Sequence, residues 1–99
     1  MDACVRLCRR NTTLLTLYRR AVATMGLPDV PVDRRGGAAD SAFASAAGAP
    51  TLCAVGPLGD GAHSPEEFLL FDSLLLRTQM VAFTALRVAA AAAAAAPPA

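Results

Sequence analysis

Lysine is absent from this 99-residue sequence: all nine basic residues are arginine, and eight acids leave a formal net charge of +1. With the two signs interspersed, that balance sets up no long-range field for a nucleic acid or an anionic membrane surface, so neither is expected as a partner. All-arginine usage beside abundant Ala, Gly and Pro looks like the coding bias of a GC-rich genome and says nothing about partners. Only three cysteines are present, Cys4, Cys8 and Cys53. An odd, low number excludes a disulfide-stapled secreted scaffold and points to a reducing compartment, taken as cytoplasmic. The spacing C-x3-C of Cys4 and Cys8, with no second pair, is not that of a cysteine zinc site. No uninterrupted run of eighteen apolar residues occurs, because Arg77 and Arg87 break the C-terminal hydrophobic region, so no membrane span is expected. The absence of any acid between Ala3 and Pro28 gives the N-terminus some flavour of an organellar transit peptide, but a helix accounts for the same residues. Finally, the chain has one histidine, His63.

The remaining signals describe one small domain with unequal ends. Residues 1–11 form a poorly defined N-terminal end, in which Cys4 to Cys8 alternates weakly as a short strand or frayed end. Asn11 or Thr12 can cap a helix over residues 12–25, with Leu14, Tyr18, Ala21, Val22 and Met25 as its apolar stripe. Gly26 and Pro28 then stop it. Asp29 to Asp33 alternates as a short strand, and Pro31 confines it to an edge. Arg34-Arg35-Gly36-Gly37 turns into a short helix with Asp40 or Ser41 at its start, a geometry that can receive an anion or serve as a plain linker. Thr51 to Val55, bounded by Pro50 and Gly56, reads as a strand buried on both faces. Asp72 or Ser73 can cap a broadly apolar last helix, suited to packing across a sheet, which the alanine tail of residues 89–99 extends until Pro97. The alternation of helix, short strand, helix, buried strand and long C-terminal helix is of α/β class.

Between the buried strand and the last helix lies Gly59-Asp60-Gly61-Ala62-His63-Ser64-Pro65-Glu66-Glu67-Phe68. Two glycines permit a sharp turn ahead of the imidazole. Ser64, Pro65 and Glu67 have the pattern of a capping box, which predicts a helical turn directly after His63. Loops leaving the carboxyl ends of strands are where α/β sheets collect ligands, so His63 is the candidate functional residue.

The order Gly36-Gly37-x-x-Asp40, Ala49-Pro50-Thr51-Leu52, Gly56-x-x-Gly59-x-Gly61-Ala62-His63-Ser64-Pro65-x-Glu67-Phe68, Asp72-Ser73-Leu74 and Arg77 resembles the closing segment of the dinuclear zinc exopeptidases and amidohydrolases. That group includes glutamate carboxypeptidase, succinyl-diaminopimelate desuccinylase and aminoacylase. The resemblance covers residues 12–88 and implies the C-terminal part of a peptidase-like catalytic α/β domain. It implies that His63 ligates one of two zinc ions, and that the Gly36-Gly37 turn lies beside substrate, a peptide or N-acyl amino acid. Ala38 and Ala39 stand where the family carries a hydroxyl, and Asp40 is kept as the cap of the following helix. Glu67 matches a family acid but, in its capping-box position, reads as structural.

Such an enzyme also needs a His-x-Asp ligand pair, a bridging Asp and a Glu-Glu pair that supplies a further ligand and the general base; none of these has a match here. The expected function is therefore a fragment of a zinc-dependent hydrolase of amide bonds next to a free carboxylate, inactive alone. Its partner would be the missing N-terminal part of the catalytic domain or a complementary chain. The alternative is a noncatalytic remnant that acts as an interaction module, and uncovered apolar faces would favour self-association. Purified chain given zinc and N-acyl or glutamyl dipeptide substrates is predicted to show no turnover. Metal-dependent hydrolysis abolished by His63→Ala would contradict this.

Overall fold

The structure is a computed structural model that describes residues 5–8, 12–33, 40–95 and 97. Its elements in order are β1 (Val5–Cys8), α1 (Thr13–Thr24), β2 (Val32–Asp33), α2 (Ser41–Ala46), β3 (Thr51–Cys53), β4 (Gly59–Asp60), β5 (Phe68–Leu69) and α3 (Phe71–Ala95). The chain is thus of mixed α/β class. β1 is the middle strand of a three-stranded sheet, parallel to β2 and antiparallel to β3. A parallel pair needs a crossover, and α1 supplies it between β1 and β2. The weakly alternating segment Val5 to Cys8 is therefore the centre of the sheet, and the strand around Pro31 is at its edge, as proline requires.

α1 follows the sequence expectation closely. Tyr18, Ala21 and Val22 are buried as expected, but Leu15 and not Leu14 completes the buried stripe, Leu14 and Met25 are only half-buried, and Arg20 stays exposed. Thr12 occupies the N-cap position without a side-chain bond; its carbonyl accepts from Thr16 N–H at 2.9 Å. At the other end Gly26 takes φ +76°, which lets Leu27 N–H reach back to the Val22 carbonyl at 3.2 Å and turn its side chain toward the core. The same C-terminal wrap closes α2, where Ala49 N–H donates to the Ala44 carbonyl at 3.1 Å. Asp40 stands at the N-cap position of α2 but its carboxylate makes no cap bond, contrary to expectation. Arg19 donates through Nη2 to the Val30 carbonyl at 3.0 Å, and its Nε lies 3.3 Å from Asp29 Oδ1 without hydrogen-bond alignment. With Asp29 largely exposed, that ion pair contributes little.

The core joins Leu15, Tyr18 and Val22 of α1 to Val30 and to Met80 of α3, with Leu52 and Val55 packed against it. Three expectations fail here. β3 is half-buried and lies at an edge of the sheet, not buried on both faces, because no further strand or layer among the described residues covers it. α3 packs chiefly on α1 and not across the sheet. It begins at Phe71, so Asp72 and Ser73 sit in its first turn instead of capping it. Its buried face carries Ser73, Arg77, Met80 and Thr84, while most of its leucines remain exposed. By length and composition α3 could cross a membrane, since Arg77 and Arg87 interrupt it without lowering its overall hydropathy below that of a span. Arg77, however, is held inside the protein body.

Tyr18 is 2% exposed and its hydroxyl has no hydrogen-bond partner among the described residues. Burial pushes the phenol pKa above its ordinary 10.0, and the nearby Arg77 guanidinium offsets part of that rise. A folded-state pKa above the unfolded one means that the neutral phenol's contribution is fully present below pH 10 and is lost as pH rises beyond it. Tyr18→Phe removes an unpaired buried hydroxyl and is expected to raise stability at neutral pH by about 1 kcal/mol. It should also flatten the decline above pH 10. Urea unfolding at several pH values measures both, and a stability loss at neutral pH would show that the hydroxyl is satisfied.

Candidate functional site

The loop that carries His63 is a β-hairpin between the sheet and α3. β4 and β5 pair antiparallel with Gly59 opposite Leu69 and Asp60 opposite Phe68. One further bond, Leu70 N–H to the Leu58 carbonyl at 2.7 Å, extends the pairing to the start of α3. Ser73 locks that junction: its hydroxyl accepts from Leu58 N–H at 2.8 Å and donates to the Leu70 carbonyl at 2.6 Å. Gly59 is required by close approach, since a Cβ at this position would collide with the Phe68 carbonyl oxygen.

The hairpin tip is two successive turns, not the helical turn that the capping-box pattern predicts. Ser64 N–H donates to the Gly61 carbonyl at 3.0 Å, and Glu67 N–H donates to the Ser64 carbonyl at 3.1 Å. The Ser64 hydroxyl donates back to the Gly61 carbonyl at 2.6 Å, and Glu67 N–H goes to the Ser64 backbone carbonyl and not to that hydroxyl as it would in a cap. The reason is the strand pairing. It pulls Phe68 and Leu69 into extended backbone directly after Glu67, which leaves no residues to continue a helix. Pro65 then serves at the second position of the second turn, where its fixed φ fits.

His63 occupies the third position of the first turn with φ +66°, while Ala62 before it keeps negative φ. That combination is a type II turn, which glycine normally fills because it demands left-handed backbone. The histidine is exposed, as are Asp60, Glu66 and Glu67. Asp60 and Glu67 line a shallow cleft of about 380 Å³ with Pro57, Ala62 and Phe68, and His63 is not among the residues lining it. The Asp60 carboxylate accepts from Gly61 N–H at 2.8 Å and so belongs partly to the turn.

Zinc sites need three or four converging donors. Among the described residues no group of three His, Cys, Asp or Glu side chains could hold a metal ion. Gly36 and Gly37, expected beside substrate, lie outside the described residues, as does Cys4. Cys53 is a half-buried free thiol.

The sequence names Arg77 as a motif residue without showing its role, which is to hold this loop with a buried side chain. It donates from Nε to the Gly56 carbonyl and from Nη2 to the Ala54 carbonyl, both at 2.9 Å. Ala54 itself has φ +62°, so the chain turns sharply as it leaves β3. An arginine directly after Leu74-Leu75-Leu76 in an apolar helix was the available signal. The chain matches no protein-family model, no curated protein and no solved structure.

Left-handed backbone costs a non-glycine residue roughly 1–2 kcal/mol. His63→Gly is therefore expected to stabilise the chain by about 1 kcal/mol, and His63→Ala to give no such gain. Gly59→Ala should destabilise it by opening the hairpin. Chemical denaturation of the three variants decides; equal effects of glycine and alanine at position 63 would argue against the strained turn.

Proposed function

We propose that this chain is the closing segment of a zinc exopeptidase or amidohydrolase domain, to which it contributes His63 as one metal ligand. The other ligands and the general base would come from residues outside this chain. The parent activity is hydrolysis of an amide bond next to a free carboxylate, on a peptide or N-acyl amino acid. The observation that carries the reading is the placement of the only histidine. It is exposed, framed by glycines, and held in a backbone conformation that a histidine adopts at a cost. Strain of this kind persists where surrounding structure over-determines it, and it clusters at functional sites. Ser73 and Arg77 supply that surrounding structure by tying both ends of the loop to α3.

A single imidazole with solvated acids around it would bind zinc weakly, so no hydrolytic step is assigned to these residues alone. The order of the motifs around His63, described above, adds the substrate class to the reading. A second reading, an interaction module without catalysis, is favoured by the exposed leucines of α3.

The test is a chimera in which residues 12–88 replace the closing segment of an active member of this enzyme group. The expected outcome is a folded protein that binds two zinc ions and hydrolyses an N-acyl amino acid, with zinc content and activity both reduced by His63→Ala. A folded chimera whose zinc content is indifferent to His63→Ala would sink the proposal.

A further inference from the structure

Two arginines from different helices line one cleft far from the His63 hairpin. The cleft, of about 320 Å³, lies between α1 and the C-terminal part of α3, and Leu17, Arg20, Arg87, Ala90 and Ala91 form its walls. At 1.5 Å per residue, Arg87 stands about 24 Å along α3 from Phe71, where the hairpin ends. No carboxylate belongs to the lining. Among the described residues the one ion pair is that of Arg19 with Asp29, so Arg20 and Arg87 bring two positive charges to the cleft with no acid to balance them.

Arg87 is also held in place. Its Nη2 donates to Thr24 Oγ1 at 3.2 Å, and that hydroxyl donates in turn to the Arg20 carbonyl at 2.9 Å. The guanidinium lies over the Phe83 ring, 5.3 Å from its centre. A hydroxyl and an aromatic face thus anchor Arg87 against the turn of α1 that carries Arg20. Thr24 takes only one of its donors, and a guanidinium keeps further N–H groups for a ligand.

We propose that this cleft binds a phosphate monoester with a small apolar body. The phosphate sits between the Arg20 and Arg87 guanidiniums, and the apolar part lies on Leu17, Ala90 and Ala91. Charge decides the class. A phosphomonoester carries about −1.5 to −2 at pH 7 and has three acceptor oxygens, which matches two guanidiniums, whereas a carboxylate would leave one unmatched. The apolar walls decide the rest, since bare phosphate would leave them against water while an attached ring or short chain covers them. Both arginines are exposed, and a single solvated ion pair contributes little. Affinity therefore rests on one ligand meeting both charges, and on Arg87 being positioned before the ligand arrives. The zinc reading does not enter, because no residue of the hairpin lines the cleft.

Isothermal titration calorimetry of the 99-residue chain with phenyl phosphate at low salt should show one site. Inorganic phosphate, which lacks the ring, and benzoate, which lacks the second charge, are expected to bind more weakly. Arg20→Gln and Arg87→Gln should each lower the affinity for phenyl phosphate at least about fivefold. Arg20→Gln should keep its helical circular dichroism, since the Arg20 side chain is exposed. Affinity should fall as salt is raised, and again as pH drops through about 6, where the ligand loses its second charge. The arginines keep theirs throughout, and no other titratable side chain lines the cleft. Four results would overturn the proposal: no binding of phenyl phosphate, full binding by a folded Arg20→Gln chain, inorganic phosphate or benzoate binding as tightly, or attachment to vesicles of phosphatidylcholine and phosphatidic acid by a chain that ignores free phenyl phosphate.

Discussion

Arg77 is the interaction on which the rest of this structure depends. Its guanidinium reaches from the buried face of α3 to two carbonyls, those of Ala54 and Gly56, in the stretch where the chain leaves β3. A buried charge is costly unless hydrogen bonds replace the lost water, and bonds to a charged donor contribute about 1.5–3 kcal/mol each. The reciprocal statement is as important. Two loop carbonyls in irregular backbone would otherwise be left without a donor, and the left-handed Ala54 would lose the contact that offsets its conformation. One side chain therefore fixes the exit of β3, the height at which β4 begins and the position of α3 on α1.

From that clamp the geometry of the hairpin follows. Ser73, one turn before Arg77 on the same helix face, bonds both Leu58 and Leu70, so the base of the hairpin is pinned where the helix starts. Above the base, Gly59 allows the strands to approach, and the two turns leave His63 at the tip. The tip is thus carried on a rigid element in spite of its exposure. This is the arrangement that a residue meant to meet something beyond this chain would have. It is the physical ground of the proposal that His63 serves as a metal ligand.

α3 turns a face with a serine, an arginine, a methionine and a threonine inward and leaves leucines outward, the reverse of what a helix in a finished globular layer does. The inward face is specified by what it must bond, the loop carbonyls and the core around Tyr18. The outward face carries Phe71, Leu75 and Leu86, all largely exposed.

The sequence by itself determined the elements whose signals are local. The α1 stripe with its Gly26 stop, the short helix after Asp40, the strand after Pro50 and the alanine-extended last helix all rest on periodicity, glycine and proline, and all are present. The sequence also singled out the His63 loop, because glycine placement and a lone imidazole are visible without any long-range contact. Tertiary structure decided what competes across the chain. Ser64, Pro65 and Glu67 carry a helix-start pattern, yet pairing between β4 and β5 overrides it, since ladder bonds on both sides of the loop outweigh one cap bond. The weakly alternating Val5 to Cys8 segment became the central strand because α1 carries the chain from β1 to a parallel β2. Arg77, which in the sequence only interrupts an apolar helix, turned inward because the chain leaving β3 places the Ala54 and Gly56 carbonyls within reach of its guanidinium.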